Sequence, residues 1–250
     1  MADSTAAVII IGNEILSGRT RDVNLNYLAV QLTGLGIRLR EARVVCDVEA
    51  DIIAAVNECR ARYSYVFTTG GIGPTHDDIT SDCVAKAFGL PLIRHPEAVA
   101  LLERHYEPGM LNEARLRMAN TPEGATLIEN PVSTAPGYQI GNVFVMAGVP
   151  AIMQSMFEGL KNRLVGGAPI LSRTISAHVG EGAIAQGLGE LQQRYRELDI
   201  GSYPFFRQGK YGASFVLRGT AAERIERAAG ELRELIVSLG AAPIEGEPPP

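Results

Sequence analysis

The stretch Val66-Phe67-Thr68-Thr69-Gly70-Gly71-Ile72-Gly73-Pro74-Thr75-His76-Asp77-Asp78-Ile79-Thr80 decides the fold. Tyr65 to Thr68 reads as a buried strand. It breaks into Gly70, Gly71 and Gly73, and Pro74 closes the turn. Asp77 and Asp78 then precede a helical pattern. Strand, glycine loop and helix N-terminus in that order let backbone N–H groups approach an anion closely. Two acids in such a loop would repel phosphate unless a divalent cation lies between them, since hard cations take carboxylate and phosphate oxygens together. A flexible turn with an Asp N-cap explains one acid, but not three glycines, a proline and a second acid. The loop is not a Walker A loop, because no Gly-Lys-Ser/Thr follows and the lysines are Lys86, Lys161 and Lys210 alone. Its spacing also differs from the G-x-G-x-x-G dinucleotide fingerprint.

Outward from this loop the same rhythm recurs. Ala7 to Ile11 is a β-branched run ending at Gly12-Asn13-Glu14. Leu25, Leu28, Leu32 and Leu35 keep helical spacing up to Gly36. Ile37 to Cys46 is a second strand that meets Asp47, and Ile52, Val56, Cys59 and Tyr63 mark a second helix. Val84, Ala87 and Phe88 mark the helix after the glycine loop, ending at Gly89. Alternating strands and helices with short connections predict an α/β fold: a mostly parallel sheet with helices on both faces, in three layers. Ligands of such sheets bind beyond the C-terminal strand ends. Glu14, Asp47, Asp77 and Asp78 all follow such ends, so the fold is expected to gather them on one rim.

Pro96 to Tyr106 and Asn112 to Ala119 read as helices, the first with Leu101, Leu102 and His105 inward. Asn130 to Gly137 is a second small-residue loop. Tyr138 to Ile140 and Val143 to Met146 predict a hairpin turning at Gly141-Asn142. Gly148-Val149-Pro150 opens a helix marked by Met153, Met156, Leu160 and Leu164. Residues 1–166 are thus expected to form one domain, and Gly166-Gly167-Ala168-Pro169 a linker. Residues 170–242 follow a βαββα order, a small α+β domain, and 243–250 a polar, proline-rich disordered tail. Tyr203 and Phe205 alternate in a strand of that domain and read as core.

The chain of 250 residues is 46% hydrophobic and 20% charged, an ordinary globular balance. A net charge of -5 argues against nucleic acid as a partner. Ala6 to Ile11 is too short to span a membrane or form a leader core, so a cytoplasmic location is the expectation. Cys46, Cys59 and Cys83 are odd in number and lack C-x-x-C spacing, which predicts free thiols rather than a disulfide or zinc framework.

Gly-Asn-Glu-Ile-Leu at 12–16, Asp22 to Leu28, Thr69 to Thr80, Asn130 to Gly137 and Gly-Val-Pro at 148–150 together resemble the molybdopterin-binding (MoaB/Mog) domain family, in the branch of competence/damage-inducible protein A. Gly-Ser-Tyr-Pro at 201–204 narrows the likeness to the N-terminal domain of eukaryotic FAD synthase. Neither an amidase nor an adenylyltransferase domain is recognised, so neither pyridine-nucleotide deamidation nor FAD synthesis is expected. One side of the family binds molybdopterin and handles an adenylyl group. The competence-protein side resembles metal-dependent pyrophosphatases that split ADP-ribose, FAD or similar dinucleotides to AMP and a second phosphate. Asp47 and Asp78 match the two acids on which the molybdopterin side depends. Asp77 stands where that side often has a basic residue, and tilts the likeness toward hydrolysis.

The resemblance therefore implies Asp47, Asp77 and Asp78 as catalytic acids that hold, with Glu14, a divalent metal: Mg²⁺, or else Mn²⁺ or Co²⁺, with a monovalent cation as an optional addition and no flavin or haem prosthetic group. Gly12, Asn13, Thr69, Gly70, Gly71, Gly73, Ser133, Thr134 and Gly137 are the expected ligand-binding positions. His76 is either a proton shuttle or an exposed loop histidine. The implied partners are a small nucleotide or pterin and further copies of the same chain. A non-hydrolytic molybdopterin or nucleotide carrier, linked to molybdenum cofactor biosynthesis, is the alternative.

Overall fold

The computed structural model describes residues 4–207 and 209–248. The chain divides into two compact units, Met1–Gly167 and Ala168–Pro250. The first contains β1 (Thr5–Ile11), α1 (Asn13–Leu16), α2 (Asn24–Gly34), β2 (Arg38–Val45), α3 (Glu49–Arg62), β3 (Tyr65–Thr69) and α4 (Thr80–Phe88). It continues through β4 (Leu92–Arg94), α5 (Pro96–His105), α6 (Glu113–Leu116), a 3-10 turn at Arg117–Ala119, and β5 (Asn120–Pro122). It ends with β6 (Thr126–Ile128), β7 (Gly137–Ile140), β8 (Val143–Met146) and α7 (Pro150–Leu160).

Six strands form one sheet in the order β2-β1-β3-β8-β7-β6. β2, β1, β3 and β8 run parallel, and the β7–β8 hairpin and β6 add an antiparallel flank. The period-2 geometry of a strand sends alternate residues of β1 to opposite faces. Ala7, Ile9 and Ile11 pack with Ile52, Val56 and Cys59 of α3 and with Cys83 and Val84 of α4. Ala6, Val8 and Ile10 pack with Leu28 and Leu32 of α2 and with Met153, Met156 and Phe157 of α7. Both faces are covered, which is why β1 reads as an unbroken apolar run. Phe67 sits at 0% exposure, its ring 5.2 Å from that of Phe144 and 5.7 Å from that of Phe157. Burial lifts the Cys83 thiol to about 11, consistent with an inert core residue.

Register places the parallel strand ends level: Ile11 pairs with Val45, Ile10 with Thr69, and Thr69 with Met146. Gly12, Cys46, Gly70 and Ala147 therefore leave the sheet on one edge. Gly70 has φ 104°, and a Cβ there would strike the Ile11 carbonyl. α4 ends at Gly89, φ 65°, in the left-handed cap that glycine favours. His105, expected inward, is exposed at the end of α5, where only Ala98 and Leu102 of that helix are buried.

The second unit has β9 (Leu171–Ala177), α8 (Glu181–Arg194), β10 (Asp199–Arg207), β11 (Lys210–Gly219), α9 (Ala222–Ser238) and β12 (Ile244–Glu245). Its sheet order is β10-β11-β9-β12, all antiparallel. α8 and α9 both pack on the face bearing Ile175, Ala177, Ala213, Phe215 and Leu217. Two expectations need correction here. Tyr203 is 48% exposed rather than core, because it belongs to the other face; its ring lies over Gly201, where a Cβ would sit 2.8 Å away. The tail expected to be disordered is paired: Ile244 and Glu245 join β9. Ser176 Oγ donates to the Gly246 carbonyl at 2.7 Å and Ser214 Oγ to Glu247 at 2.8 Å. A buried pair of serines gives this polar segment hydrogen-bond partners that composition alone did not reveal. Residues 249–250 lie outside the described residues. No helix among the described residues is long and apolar enough to cross a membrane.

The geometry at Gly70 and Gly89 makes a paired prediction. Gly70→Ala combines a left-handed backbone with a backbone collision and is expected to cost ~3 kcal/mol or more. Gly89→Ala, with nothing within 4 Å of the added Cβ, should cost only about 1 kcal/mol. Urea unfolding of both variants checks this; equal losses would contradict it.

Candidate functional site

The glycine loop is built so that its amides are left over. Gly70 N–H donates to the Met146 carbonyl at 3.1 Å, continuing the sheet. Thr80, at the start of α4, ties the loop down: its N–H donates to the Gly71 carbonyl at 3.0 Å and its Oγ1 to the Gly70 carbonyl at 3.0 Å. Gly71 has φ 67°, and a Cβ on it would strike that same hydroxyl. Among the described residues, the N–H groups of Gly71, Ile72 and Gly73 donate to no protein acceptor. Three successive amides without partners are available to an anion.

The acids divide into two clusters along the rim. Asp78 Oδ2 accepts from Thr75 N–H at 2.8 Å and Thr75 Oγ1 at 2.5 Å. The carboxylate is packed so tightly on the loop that a Cβ on Gly73 would be 2.6 Å from Oδ2. Asp77 is more exposed; the nearby Thr75 hydroxyl, whose hydrogen bond is made to Asp78, then its own backbone N–H, with the charge of Arg117 adding to both, hold its carboxyl below the usual carboxylate range. At the neighbouring strand end, Asp47 Oδ2 accepts from Asn13 N–H at 2.8 Å. Glu14 folds over Gly12, where a Cβ would meet its carboxylate. Among the described residues, no three His, Cys, Asp or Glu side chains converge on one metal position. The expected set of Asp47, Asp77, Asp78 and Glu14 thus shares a rim in the backbone without closing into a protein-only cage.

That donor chemistry still fits a hard cation that keeps waters and shares phosphate oxygens. Mg²⁺ is commonly held by only one or two carboxylates plus substrate. Asp47 and Asp78 each have Oδ2 pinned by a backbone N–H, while Oδ1 accepts no hydrogen bond from the described residues. His76 is 96% exposed, with Nδ1 3.9 Å from Asp77 Oδ1, the geometry of a solvated loop side chain.

The second loop differs from expectation. Asn130 Oδ1 accepts from the N–H groups of Val132 and Ser133, both at 3.1 Å, and its Nδ2 donates to Ser133 Oγ at 2.7 Å and the Ala135 carbonyl at 2.8 Å. Thr134 N–H bonds the Asn130 carbonyl, and Ala135 N–H the Ser133 carbonyl. Of the amides from Ser133 to Gly137, expected to hold a diphosphate, those of residues 133–135 are therefore consumed inside the loop. Thr134 takes φ 68° and its Oγ1 lies 3.0 Å from His105 Nδ1. Gly137 serves packing, since a Cβ there would strike the Val145 carbonyl. Thr69 is 1% exposed, its hydroxyl buried without a partner, so it presents no surface to a ligand.

Sequence reasoning did not foresee several of these contacts. Thr75 locks Asp78, and its spacing of three residues from that acid is a readable turn signal. The spacing of Asn130 and Ser133 is another. Asp22 Oδ2 accepts from Leu25 N–H at 3.0 Å at the head of α2, and Asn24 Nδ2 donates to the Gly148 carbonyl at 2.8 Å. These bonds give the 22–28 and 148–150 motifs a structural role. Arg117 had no signal at all: it comes from the 3-10 turn far along the chain, and its Nη2 is 3.5 Å from the Asp78 carbonyl.

Residues 7–166 match the family model described as "Probable molybdopterin binding domain", and 169–241 match "FAD synthase, middle domain". A protein of Pyrobaculum calidifontis is 40% identical over 183 residues, 71% of this chain and 68% of that one. A protein of Archaeoglobus fulgidus is 31% identical over 229 residues, 92% of this chain and 96% of its own. A "Probable FAD synthase" of Caenorhabditis briggsae is 29% identical over 93% of this chain, which spans 50% of that protein. Among solved structures, CinA of Thermoplasma acidophilum, described as of unknown function, superposes with a TM-score of 0.61 and 35% identity, covering 64% of this chain and 98% of that chain. The chain belongs to the molybdopterin-binding (MoaB/Mog) domain family, in the branch it shares with CinA and FAD synthase.

Proposed function

We propose that the N-terminal unit hydrolyses a nucleotide phosphoanhydride, with ADP-ribose or FAD as the substrate class, giving AMP and a second phosphate. The observation that carries this reading is the juxtaposition of three amides without partners, Gly71 to Gly73, with an Asp78 carboxylate fixed on the same loop. The amides would bind diphosphate oxygens and meet negative charge as it grows on them. Asp78, Asp47 and the readily ionised Asp77 would hold a divalent cation, with Glu14 as a further oxygen donor. When bound, that cation supplies charge neutralisation and polarisation of a phosphoryl oxygen. Without a counter-charge, Asp77 and Asp78 would repel the diphosphate that the amides attract, so anion binding and cation binding are coupled at this loop. In the overall reaction the oxygen of water bonds to one phosphorus, the bridging P–O bond breaks, and two phosphomonoesters leave.

The absence of a three-carboxylate cluster among the described residues favours one second reading, a carrier that binds a molybdopterin or nucleotide without turnover. In both readings the ligand is a small phosphorylated molecule. Self-association belongs to the same proposal, and light scattering should then give a mass above the 26.8 kDa of one chain; a monomer at working concentration would contradict it.

AMP release from ADP-ribose and FAD, followed by chromatography with Mg²⁺, Mn²⁺ or Co²⁺ and with chelator, tests the hydrolase. Metal-dependent AMP is expected, with Asp78→Asn losing about 100-fold or more in kcat. AMP production that survives chelator, or is unchanged in Asp78→Asn, would sink the mechanism. Tight nucleotide or pterin binding with no AMP would establish the carrier instead.

A further inference from the structure

A cavity of about 320 Å³ opens beside Asp78. Its apolar wall is Ile72, Ile79 and Leu92, and its polar groups include Asp78, Ser81, Arg117 and Asn120. Asp82 also reaches it, but that carboxylate is already paired with Lys86, Nζ to Oδ2 2.5 Å. Arg117 is different. It is half-buried, and among the described residues no carboxylate lies within ion-pair distance of it. Its one protein acceptor is the Asp78 carbonyl, at the long distance of 3.5 Å. Elsewhere in the N-terminal unit, Arg43 and Arg62 share Glu41, and Arg94 meets Glu113.

Asp77 is near enough to feel the charge of Arg117, but no carboxylate among the described residues pairs with it directly, and a partly desolvated guanidinium without a direct ion pair gains interaction energy when a ligand supplies one. Its planar donor fork matches phosphate oxygens. The fold spends a whole excursion on placing it. β4 and β5 pair through Ile93 and Thr121, and His95 N–H donates to the Ala119 carbonyl at 2.8 Å. These bonds fix both ends of the segment that carries α5, α6 and the 3-10 turn. The turn's first residue is Arg117, and it is delivered to the glycine loop.

We infer that this cavity is a second anion subsite, anchored by Arg117, for the phosphate that departs with the non-adenylate half of the substrate. The inference rests on the phosphoanhydride reading of the same loop and deepens it. The amides of Gly71 to Gly73 take one phosphate, and Arg117 takes the other. Asn120 and Ser81 offer an amide and a hydroxyl to the hydroxyls of a sugar attached to it. Arg117 carries charge recognition that does not pass through the metal, so its removal should affect the two phosphates unequally.

The test uses calorimetric binding to the full chain in Mg²⁺, with a methylene-bridged ADP-ribose analogue that cannot be cleaved, with AMP, and with ribose 5-phosphate as a competitor. Arg117→Ala and Arg117→Gln are expected to bind the analogue about 10- to 100-fold more weakly, a range typical of a lost charged hydrogen bond. Arg117→Lys should retain part of the affinity. AMP binding should stay within about twofold, and competition by ribose 5-phosphate should vanish. Melting curves that overlay the wild type exclude loss of folding as the cause. An analogue affinity unchanged in Arg117→Ala would overturn the subsite, as would equal losses for AMP and the analogue, or a wild type that binds none of the three. A wild type that binds through Arg117 but releases no AMP from ADP-ribose would uphold the subsite and overturn hydrolysis.

Discussion

The N-terminal unit depends on one backbone approach, at Gly70. There the chain leaves β3, donates its N–H to the end of β8 at Met146, and passes so close to the Ile11 carbonyl that no side chain fits. Gly148 backs it from the third strand end, where a Cβ would lie 3.3 Å from the Gly70 Cα. Three parallel strands thus finish within contact of one glycine, and the loops that follow them cannot choose their positions independently. Everything proposed for the rim follows from that constraint. Asp47 is held by the amide after Gly12, Asp78 by Thr75, and the free amides of residues 71–73 lie between a glycine that must stay and a threonine that anchors α4.

Electrostatics at this loop pull in both directions. Bare amides and Arg117 favour anions; Asp77 and Asp78 favour cations. A chain of net charge -5 does not draw in nucleotides by its overall field. Local donors must do the binding, and a cation shared by protein and ligand resolves the conflict better than either charge alone. The low position of the Asp77 carboxyl, set first by the Thr75 side chain, keeps that acid charged to lower pH than a free carboxylate.

Much of this was legible in the order of residues. The unbroken apolar run of β1 and the helical spacing of Leu28 and Leu32 show which surfaces are buried, and the glycines at 70 and 71 mark the loop. What stayed hidden was set by partners distant in the chain or by local competition for hydrogen bonds. The loop at 130–137 looks like a phosphate cradle by composition, yet Asn130 takes its amides. Tyr203 alternates like a core residue, but both helices of the C-terminal unit cover the opposite face. The polar tail is ordered by two serines that lie 70 and 33 residues back along the chain. Arg117 reaches Asp78 across 39 residues, a contact that no periodicity announces.

The most direct measurement is a crystal structure with the uncleavable ADP-ribose analogue and Mn²⁺, using the anomalous signal of manganese to locate the ion. The account predicts diphosphate oxygens on the amides of Gly71 to Gly73 and an anomalous peak in coordination range of Asp78 and Asp47. A diphosphate bound away from this loop, or seated on it with no ion at either aspartate, would contradict the claim that anion and cation are bound here together.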